Sequence, residues 1–143
     1  MNNKRILIID DSKLCIKITS DILIKEGYNI LKARNGIDGI KMAIDKKPDL
    51  IILDLVMPMM NGFETAEKLK NINIVKEIPI IFLTTGNVKT FIREAYEAGG
   101  IDYIMKPVKK EELLARVKTQ IDLKTKTEQL KKAHQIIRKR NNK

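Results

Sequence analysis

The chain has 143 residues, 43% of them hydrophobic, which is the length and composition of one globular domain with a sizeable core. No apolar run approaches the ~20 residues that span a bilayer, the N-terminus does not resemble a secretory signal, and one cysteine excludes an intrachain disulfide. These features predict a cytoplasmic protein without membrane insertion. The net charge of +10 lies mostly in residues 116–143, which carry ten Lys or Arg against two acids. Nucleic-acid binding is therefore not expected of the domain itself.

Short apolar runs alternate with helix-like stretches along the chain. Strands are predicted at residues 5–9, 28–33, 50–53, 80–83 and 103–105. Helices are predicted at about 13–25, 37–45, 62–70 and 88–98, and a fifth begins near residue 110 and continues towards the C-terminus. Five strands alternating with five helices predict a parallel sheet covered on both faces.

Polar residues follow four of the predicted strands directly. Asp10 and Asp11 follow the first strand, Asp54 the third, Thr84 the fourth and Lys106 the fifth. Each alone fits an ordinary structural role, such as a helix cap, a turn cap or a strand-end hydroxyl. Because the carboxyl ends of parallel strands share one edge of the sheet, all five are expected to converge there. That convergence predicts a functional site.

The residue types at this edge suit phosphoryl chemistry. Three crowded carboxylates repel one another, and their ionised forms need a cation. Without thiols or imidazoles in the group, a hard ion bound through oxygen is indicated, and Mg²⁺ fits best, with Mn²⁺ an acceptable substitute. The lysine and the threonine add donors for an anion. A carboxylate between a metal and a lysine is arranged to attack phosphorus and form an acyl phosphate.

With these motifs in order, the chain resembles the receiver (CheY-like) domain of two-component response regulators over about residues 4–120. The matching features are Asp10-Asp11, the segment 54–62 (Asp-Leu-Val-Met-Pro-Met-Met-Asn-Gly), Thr84 and the segment 103–107 (Tyr-Ile-Met-Lys-Pro). The resemblance implies a flavodoxin-like three-layer sandwich with strand order 2-1-3-4-5 and five helices, the last one extended. It divides the chain into a receiver domain at 1–121 and a basic C-terminal helical extension or linker at 122–143.

The resemblance also implies a role for each residue of the metal site. Asp54 resembles the phosphoacceptor. Asp11 matches a direct Mg²⁺ ligand, and Asp10 acts partly through a bound water. The backbone carbonyl of Val56 completes the protein's ligands to the metal.

Residues near the phosphoryl group are assigned in the same way. Thr84 and Lys106 match the groups that contact the phosphoryl oxygens, and Tyr103 matches an aromatic switch that follows Thr84. The bond from Lys106 to Pro107 is commonly cis in the family. Thr85 stands where the family most often has Ala, so water access to an aspartyl phosphate, and its lifetime, are expected to differ.

In function, the resemblance implies a signalling module rather than an enzyme, limited to phosphotransfer onto Asp54 and self-catalysed dephosphorylation. The phosphoryl group would come from a sensor histidine kinase, a phosphotransfer protein or a small phosphodonor. The switch would control a separate effector or an appended output domain. A homodimer through the face of the fourth and fifth helices, or through the C-terminal helix, is a further expectation.

Two surfaces leave alternatives open. The first helix is apolar nearly all round, so Leu14, Ile18 and Ile22 are either a docking patch or scattered exposed aliphatics. In the C-terminal stretch, Leu and Ile recur every seven residues at 123, 130 and 137, but the second heptad column is polar. This stretch is interpreted as a signalling helix, as a solvated basic tail, or as a weak contact for nucleic acid or an acidic partner.

Other functional classes remain as alternatives. A phosphorylation-independent interaction module would keep the same residues unused. In a haloacid-dehalogenase-like Mg²⁺-dependent phosphohydrolase, one residue separates the two aspartates after the first strand, whereas Asp10 and Asp11 are adjacent. A flavodoxin-like flavin or nucleotide binder would need a phosphate-binding loop after the first strand, and the sequence has none there.

Overall fold

A computed structural model of the chain describes residues 3–85, 93–94, 97–98 and 102–141. The strands are β1 (Arg5–Ile9), β2 (Asn29–Ala33), β3 (Leu50–Asp54), β4 (Ile80–Thr84) and β5 (Asp102–Met105). The helices in these ranges are α1 (Lys13–Lys25), α2 (Gly36–Lys46), α3 (Gly62–Lys70) and α4 (Lys110–Asn141). Helix α4 is the fifth of the predicted helices. The predicted helix at 88–98 falls largely outside the described residues, so four helices are seen rather than five.

The five strands form one parallel sheet in the order β2-β1-β3-β4-β5, which confirms the predicted flavodoxin-like order. Every residue of β3 and β4 is buried. Strands covered on both faces need apolar side chains on both faces, which explains why these segments are continuous apolar runs rather than alternating ones. The order makes β1 and β3 direct neighbours, so the residues that follow them start close together.

The sheet separates two hydrophobic clusters, which gives the predicted three layers. One cluster packs α2 and α3 on the first face, with Ala43 and Leu69 among its buried members. The other packs α1 and α4 on the opposite face, where Leu23 and Val117 are buried. Beyond Ile121, α4 has left this core and its residues are mostly exposed.

Side-chain caps begin three of the helices at the carboxyl edge of the sheet. Ser12 accepts a hydrogen bond from the backbone three residues later, and Asn35 does the same for α2. Asn61 and Glu64 form a reciprocal capping box at the start of α3. Each cap satisfies a backbone N–H group that the helix itself leaves unpaired. The loops that follow β1, β2 and β3 are therefore fixed at both ends.

Two of the three aliphatic residues predicted to be exposed on helix α1 are exposed, and a docking role for them stays a prediction. Leu14 is 67% exposed and Ile18 is 45% exposed, but Ile22 packs against the core cluster beneath α1. Ile22 was therefore wrongly predicted as exposed, because a helix that is apolar nearly all round does not reveal which residues face the sheet. Ile24, at 52% exposure, is the additional exposed aliphatic on this helix.

Two further sequence predictions, a cis bond before Pro107 and the absence of a membrane-spanning helix, can be compared with the structure. The peptide bond from Lys106 to Pro107 is cis. Among the described helices, none combines the length and the apolar composition needed to cross a bilayer.

One backbone position in the loop after β3 is unfavourable for its residue. Met59 has a φ of 71°, and its side chain is 99% exposed. A left-handed conformation is costly for a residue with a Cβ, and the exposed side chain gains no packing in return. Met59→Gly is expected to raise the free energy of unfolding by about 0.5–1 kcal/mol, measured by urea denaturation. Met59→Ala keeps the Cβ and serves as the control; an equal gain from both variants would contradict the backbone explanation.

Candidate functional site

The site is built first on the adjacent ends of β1 and β3. Asp10 follows β1 and is fully buried, and Asp54 is the last residue of β3 and is 4% exposed. The backbone N–H of Asp10 donates to the carbonyl of Ala33, which extends the pairing with β2 by one residue. One carboxylate oxygen of Asp10 accepts from the backbone N–H of Ser12 at 2.9 Å. The two predicted carboxylates therefore lie side by side on rigid backbone.

Gly62 holds the backbone behind Asp54. Its N–H donates to the carbonyl of Leu55 at 2.9 Å. A Cβ at Gly62 would collide with the backbone oxygen of Asp54 and lie 2.8 Å from the Cα of Leu55. The first turn of α3 therefore packs directly on the backbone of the phosphoacceptor candidate, a contact that only glycine permits.

Lys106 joins the two buried carboxylates. Its Nζ lies 3.1 Å from Oδ2 of Asp10 and 3.3 Å from Oδ1 of Asp54, and its side chain is 16% exposed. Its backbone N–H donates to the carbonyl of Thr84 at 2.7 Å, which ties the loop after β5 to the end of β4. The ammonium group therefore reaches the carboxylates from the loop after the edge strand β5.

Asp11 completes an acidic cluster. One oxygen from each of Asp10, Asp11 and Asp54 lies within 4.8 Å of the others. Oδ2 of Asp10 is buried and accepts no directed hydrogen bond; its contact with Lys106 is an ion pair. Three carboxylates that each offer an oxygen to one shared space suit a hard divalent cation. The residues therefore fit the predicted metal.

The charges in the cluster shift two pKa values. Burial and then repulsion from Asp10 raise the pKa of Asp54 to about 7, although Lys106 opposes the rise. Burial alone would lower the pKa of Lys106, but its contact with Asp10 and the charges of both carboxylates outweigh burial and raise it. Lys106 is therefore a permanent cation, whereas the charge on Asp54 depends on what else neutralises the cluster.

The remaining predicted residues lie around this centre. Thr84 ends β4 and is 2% exposed, while Thr85 and Pro107 are exposed. The side chain of Val56, two residues after Asp54, is 68% exposed. All four follow or end strands at the same edge of the sheet. The ligand role of the Val56 carbonyl and the shaping roles of Thr85 and Pro107 stay predictions.

Tyr103 lies on β5, half-buried against the cluster under α2 and α3. The guanidinium carbon of Arg116, on α4, lies 5.7 Å from the centre of its ring. Arg116 also pairs with Asp102 at 2.6 Å and with Glu112 at 3.5 Å. The hydrogen bond that Arg116 donates to the Asp102 carboxylate raises the pKa of Arg116 despite partial burial. Because Arg116 pairs with Asp102 and Glu112 and also lies over the Tyr103 ring, it restricts where the ring can move.

Sequence reasoning missed three residues near the site. Arg116 on α4 is one. Cys15 is half-buried, and burial, together with a contact to Asp10, raises the pKa of its thiol to about 11. The guanidinium of Arg34 donates to the backbone carbonyl of Asp11 at 3.0 Å. Arg34 follows β2, so the rule that found the other strand-end residues would have found it as well.

Comparison with known proteins identifies the family. The response regulator receiver domain family matches residues 6–118. The chain belongs to this family. The receiver domain is 39% identical over 113 residues to protein PilH of Pseudomonas aeruginosa, covering 79% of this chain and 93% of that protein. It is 38% identical over 118 residues to the phosphate regulon transcriptional regulatory protein PhoB of the same species, covering 82% of this chain and 52% of PhoB.

Solved structures agree with this assignment. The receiver domain superposes on the chemotaxis protein CheY4 of Vibrio cholerae with a TM-score of 0.79 and 29% identity, over 82% of this chain and 98% of that one. A CheY-like receiver domain protein of Methanospirillum hungatei gives a TM-score of 0.81 and 30% identity, over 88% and 99%.

The relatives differ in length. The chain spans nearly all of PilH but about half of PhoB and of the Synechocystis transcriptional regulator RpaA, of which it covers 47%. Receiver domains therefore occur among these relatives both as nearly whole proteins and as one part of larger ones.

The raised pKa of Asp54 predicts a pH-dependent stability in the absence of divalent metal. The unfolded carboxyl ionises near its ordinary value of 3.8, whereas the folded one ionises near 7, so folding loses stability as pH rises through this window. Asp54→Asn removes the ionisation. The free energy of unfolding of Asp54→Asn minus that of the parent chain should therefore increase by roughly 2 kcal/mol from pH 5 to pH 8. Urea unfolding in the presence of EDTA measures this difference.

The control for this measurement is Asp21→Asn, which changes an exposed carboxylate paired with Lys17. Its stability should follow that of the parent chain across the same pH range. Parallel curves for Asp54→Asn and the parent would contradict the raised pKa.

Proposed function

We propose that Asp54 is the residue on which this receiver domain accepts a phosphoryl group. The observation that carries the proposal is the cluster itself: a buried strand-end carboxylate, two neighbouring aspartates and a lysine 3.3 Å from Asp54 Oδ1. The donor would be a phosphohistidine of a sensor histidine kinase or a phosphotransfer protein, or a small phosphodonor. Signalling, rather than turnover of a substrate, is the function of this site.

Asp10, Asp11 and Asp54 are proposed to hold Mg²⁺, with the backbone carbonyl of Val56 as a further ligand. Mn²⁺ suits the same oxygens. The ion would neutralise charge on the transferring phosphoryl group. Support for the site comes from the shared space between the three carboxylates and from their excess over the single ammonium group of Lys106.

The protein's own residues account for the rest of the chemistry. An oxygen of Asp54 attacks phosphorus, a P–O bond forms, and the bond from phosphorus to the donor breaks. Lys106 already faces Asp54, so it needs only a small movement to pair with a phosphoryl oxygen. Burial of Asp54 limits water at the acyl phosphate, and the exposed Thr85 next to Thr84 is proposed to tune that access.

The phosphoryl group is proposed to act through Thr84 and Tyr103. Thr84 would move towards it, and Tyr103 would turn into the vacated space, shifting an equilibrium between two conformations. The Tyr103 ring is close to Arg116, which connects the switch to α4. A surface that includes β5 and α4 is therefore proposed to carry the signal to a partner or to a second copy of the domain.

Residues 1–121 are proposed to form the receiver and 122–143 an extension or linker. The last buried residue of α4, Ile121, coincides with this boundary. PhoB and RpaA are described as transcriptional regulators. For this chain, the output is proposed to be either a separate effector or an appended domain, and a cytoplasmic location stays a prediction of the sequence.

Labelling with a small radioactive phosphodonor such as acetyl phosphate, with Mg²⁺ present, tests the proposal. The chain should take up one phosphoryl group as an alkali-labile acyl phosphate. Asp54→Asn should abolish the label because the nucleophile is gone, and Asp21→Asn should retain it. Label persisting in Asp54→Asn would refute the assignment. Repeated release of phosphate many times per minute would favour a phosphohydrolase, and no uptake would favour a phosphorylation-independent module.

Metal binding is tested separately by thermal unfolding. A bound ion stabilises the folded chain by about 1.4 kcal/mol when its concentration is ten times its Kd. Mg²⁺ should therefore raise the Tm of the parent chain by a few degrees, and Asp11→Asn should lose most of this rise because it removes one ligand oxygen. An equal rise in Asp11→Asn and in the control Asp21→Asn would place the ion elsewhere.

A further inference from the structure

The part of α4 beyond the core carries an exposed apolar stripe. Leu123, Leu130 and Ile137 are 53%, 62% and 55% exposed. Residues seven apart lie on the same face of a helix, so the three form one line, with Thr127 and His134 between them. We call these five residues the C-terminal seam. The helix from residue 122 to residue 141 is about 30 Å long, which is enough for nearly three heptads.

Basic side chains border the C-terminal seam on both sides. Lys124, Lys131 and Arg138 each directly follow a seam aliphatic, and Lys126 and Arg140 occupy the opposite flank. Residues 130–141 contain five Lys or Arg and no acid. The seam is thus a line of apolar side chains with basic residues on both sides.

The seam begins in a groove under the domain. This groove lies between the Glu77–Pro79 loop and Leu123. Farther along the helix, Thr127, Leu130 and His134 line a depression formed by α4 alone. Lys131 pairs with Glu77 at 2.6 Å, and Lys124 lies 3.6 Å from Asp49. These pairs hold the first half of the extension against the domain and leave the C-terminal half with uncompensated positive charge.

A second copy of the chain does not suit this surface. In a parallel pair, Lys126 of one copy would face Lys131 of the other. In an antiparallel pair, the flank of Lys124, Lys131 and Arg138 would meet its own copy. Either direction brings like charges together along the flanks, where opposite charges normally select partners.

Other anionic surfaces fit less well than a helix. The described part of α4 contains no aromatic residue to stack on bases, and binding to phosphates would leave the apolar line in water. The line is narrow, with polar Thr127 and His134 inside it, whereas helices that lie in a bilayer interface present a broad apolar face. An acidic amphipathic helix covers the line and also meets bases for which no ion pair is seen among the described residues, Arg138 on one flank and Lys126 and Arg140 on the other.

We propose that the C-terminal seam is a docking surface for an acidic amphipathic helix of a partner protein. The two helices pair side by side: the partner's aliphatic residues cover Leu123, Leu130 and Ile137, and its flanking Glu or Asp side chains face the Lys and Arg rows. Polar Thr127 and His134 stand in the second heptad column, where tight pairing needs apolar residues, so the pairing is weak and reversible. The surface is remote from Asp54 and does not depend on the proposed phosphoryl transfer.

The test uses the whole chain and two labelled synthetic peptides of three heptads. Both carry Leu at the core positions; one carries Glu at the flanking positions and the other Lys. In fluorescence anisotropy, the Glu peptide should bind at least tenfold more tightly than the Lys peptide. Ile137→Ser should weaken binding of the Glu peptide about tenfold or more, and added salt should weaken it further.

Ile136→Ser is the matched control, since Ile136 is the adjacent residue, has the same side chain and is 54% exposed, but lies off the seam. It should bind the Glu peptide like the parent chain. Asp54→Asn should also bind normally, which separates this inference from the proposed function.

Several outcomes would overturn the inference. Absence of Glu-peptide binding would do so, as would equal affinity for the Glu and Lys peptides or equal losses in Ile136→Ser and Ile137→Ser. Concentration-dependent self-association that Ile137→Ser abolishes, measured by sedimentation, would assign the seam to a second copy instead. Tighter binding to a DNA duplex or to anionic vesicles than to the Glu peptide would assign the surface to those partners.

Discussion

The contact of Lys106 with Asp10 and Asp54 is the interaction on which the site depends. Two carboxylates buried side by side repel strongly in a medium that screens poorly, and one ammonium group between them offsets only part of that repulsion. With Asp11 included, the described cluster has three acids and one base. The fold therefore holds an unbalanced negative charge at a fixed position. Such a centre suits a divalent cation, which would supply the missing positive charge. With the cation bound, the centre would also suit a phosphoryl group, whose negative charge needs nearby cations.

The strand order explains why the base is a lysine. Asp10 and Asp54 follow adjacent strands, but Lys106 follows β5, which β4 separates from β3. Neighbouring strands lie about 4.8 Å apart, so the amine must cross roughly 10 Å of sheet edge. The four-carbon stem of Lys106, whose backbone is bonded to Thr84, covers this distance together with the side chain of Asp54 and the 3.3 Å contact between the two groups. A shorter side chain at the same position would leave the two carboxylates without their counter-charge.

The sequence predicted the sheet, the strand-end residues and the bounds of α3 correctly, because those depend on local patterns and on the shared edge of parallel strands. It did not reveal Arg116 or Cys15, because their contacts depend on how far a side chain on one helix reaches towards another element. Ile22 was wrongly predicted as exposed for a related reason: the direction of a helix face follows from its packing, and a helix that is apolar nearly all round contains no marker of it. The helix at 88–98 stays a prediction. A sequence predicts which residues meet when the strand order alone brings them together. It does not predict contacts that depend on side-chain rotamers.

Helix α4 begins four residues after Lys106 and continues without interruption to Asn141. Its 32 residues make a rod about 48 Å long at the ordinary rise of 1.5 Å per residue. A tilt of about 5° at the end near the site would displace the far end of such a rod by roughly 4 Å, which is most of the axial rise of one helical turn. Under the proposed switch the helix would therefore act as a lever arm: small movements near Tyr103 and Arg116 would become, at the basic end, displacements large enough to change which residues are in contact.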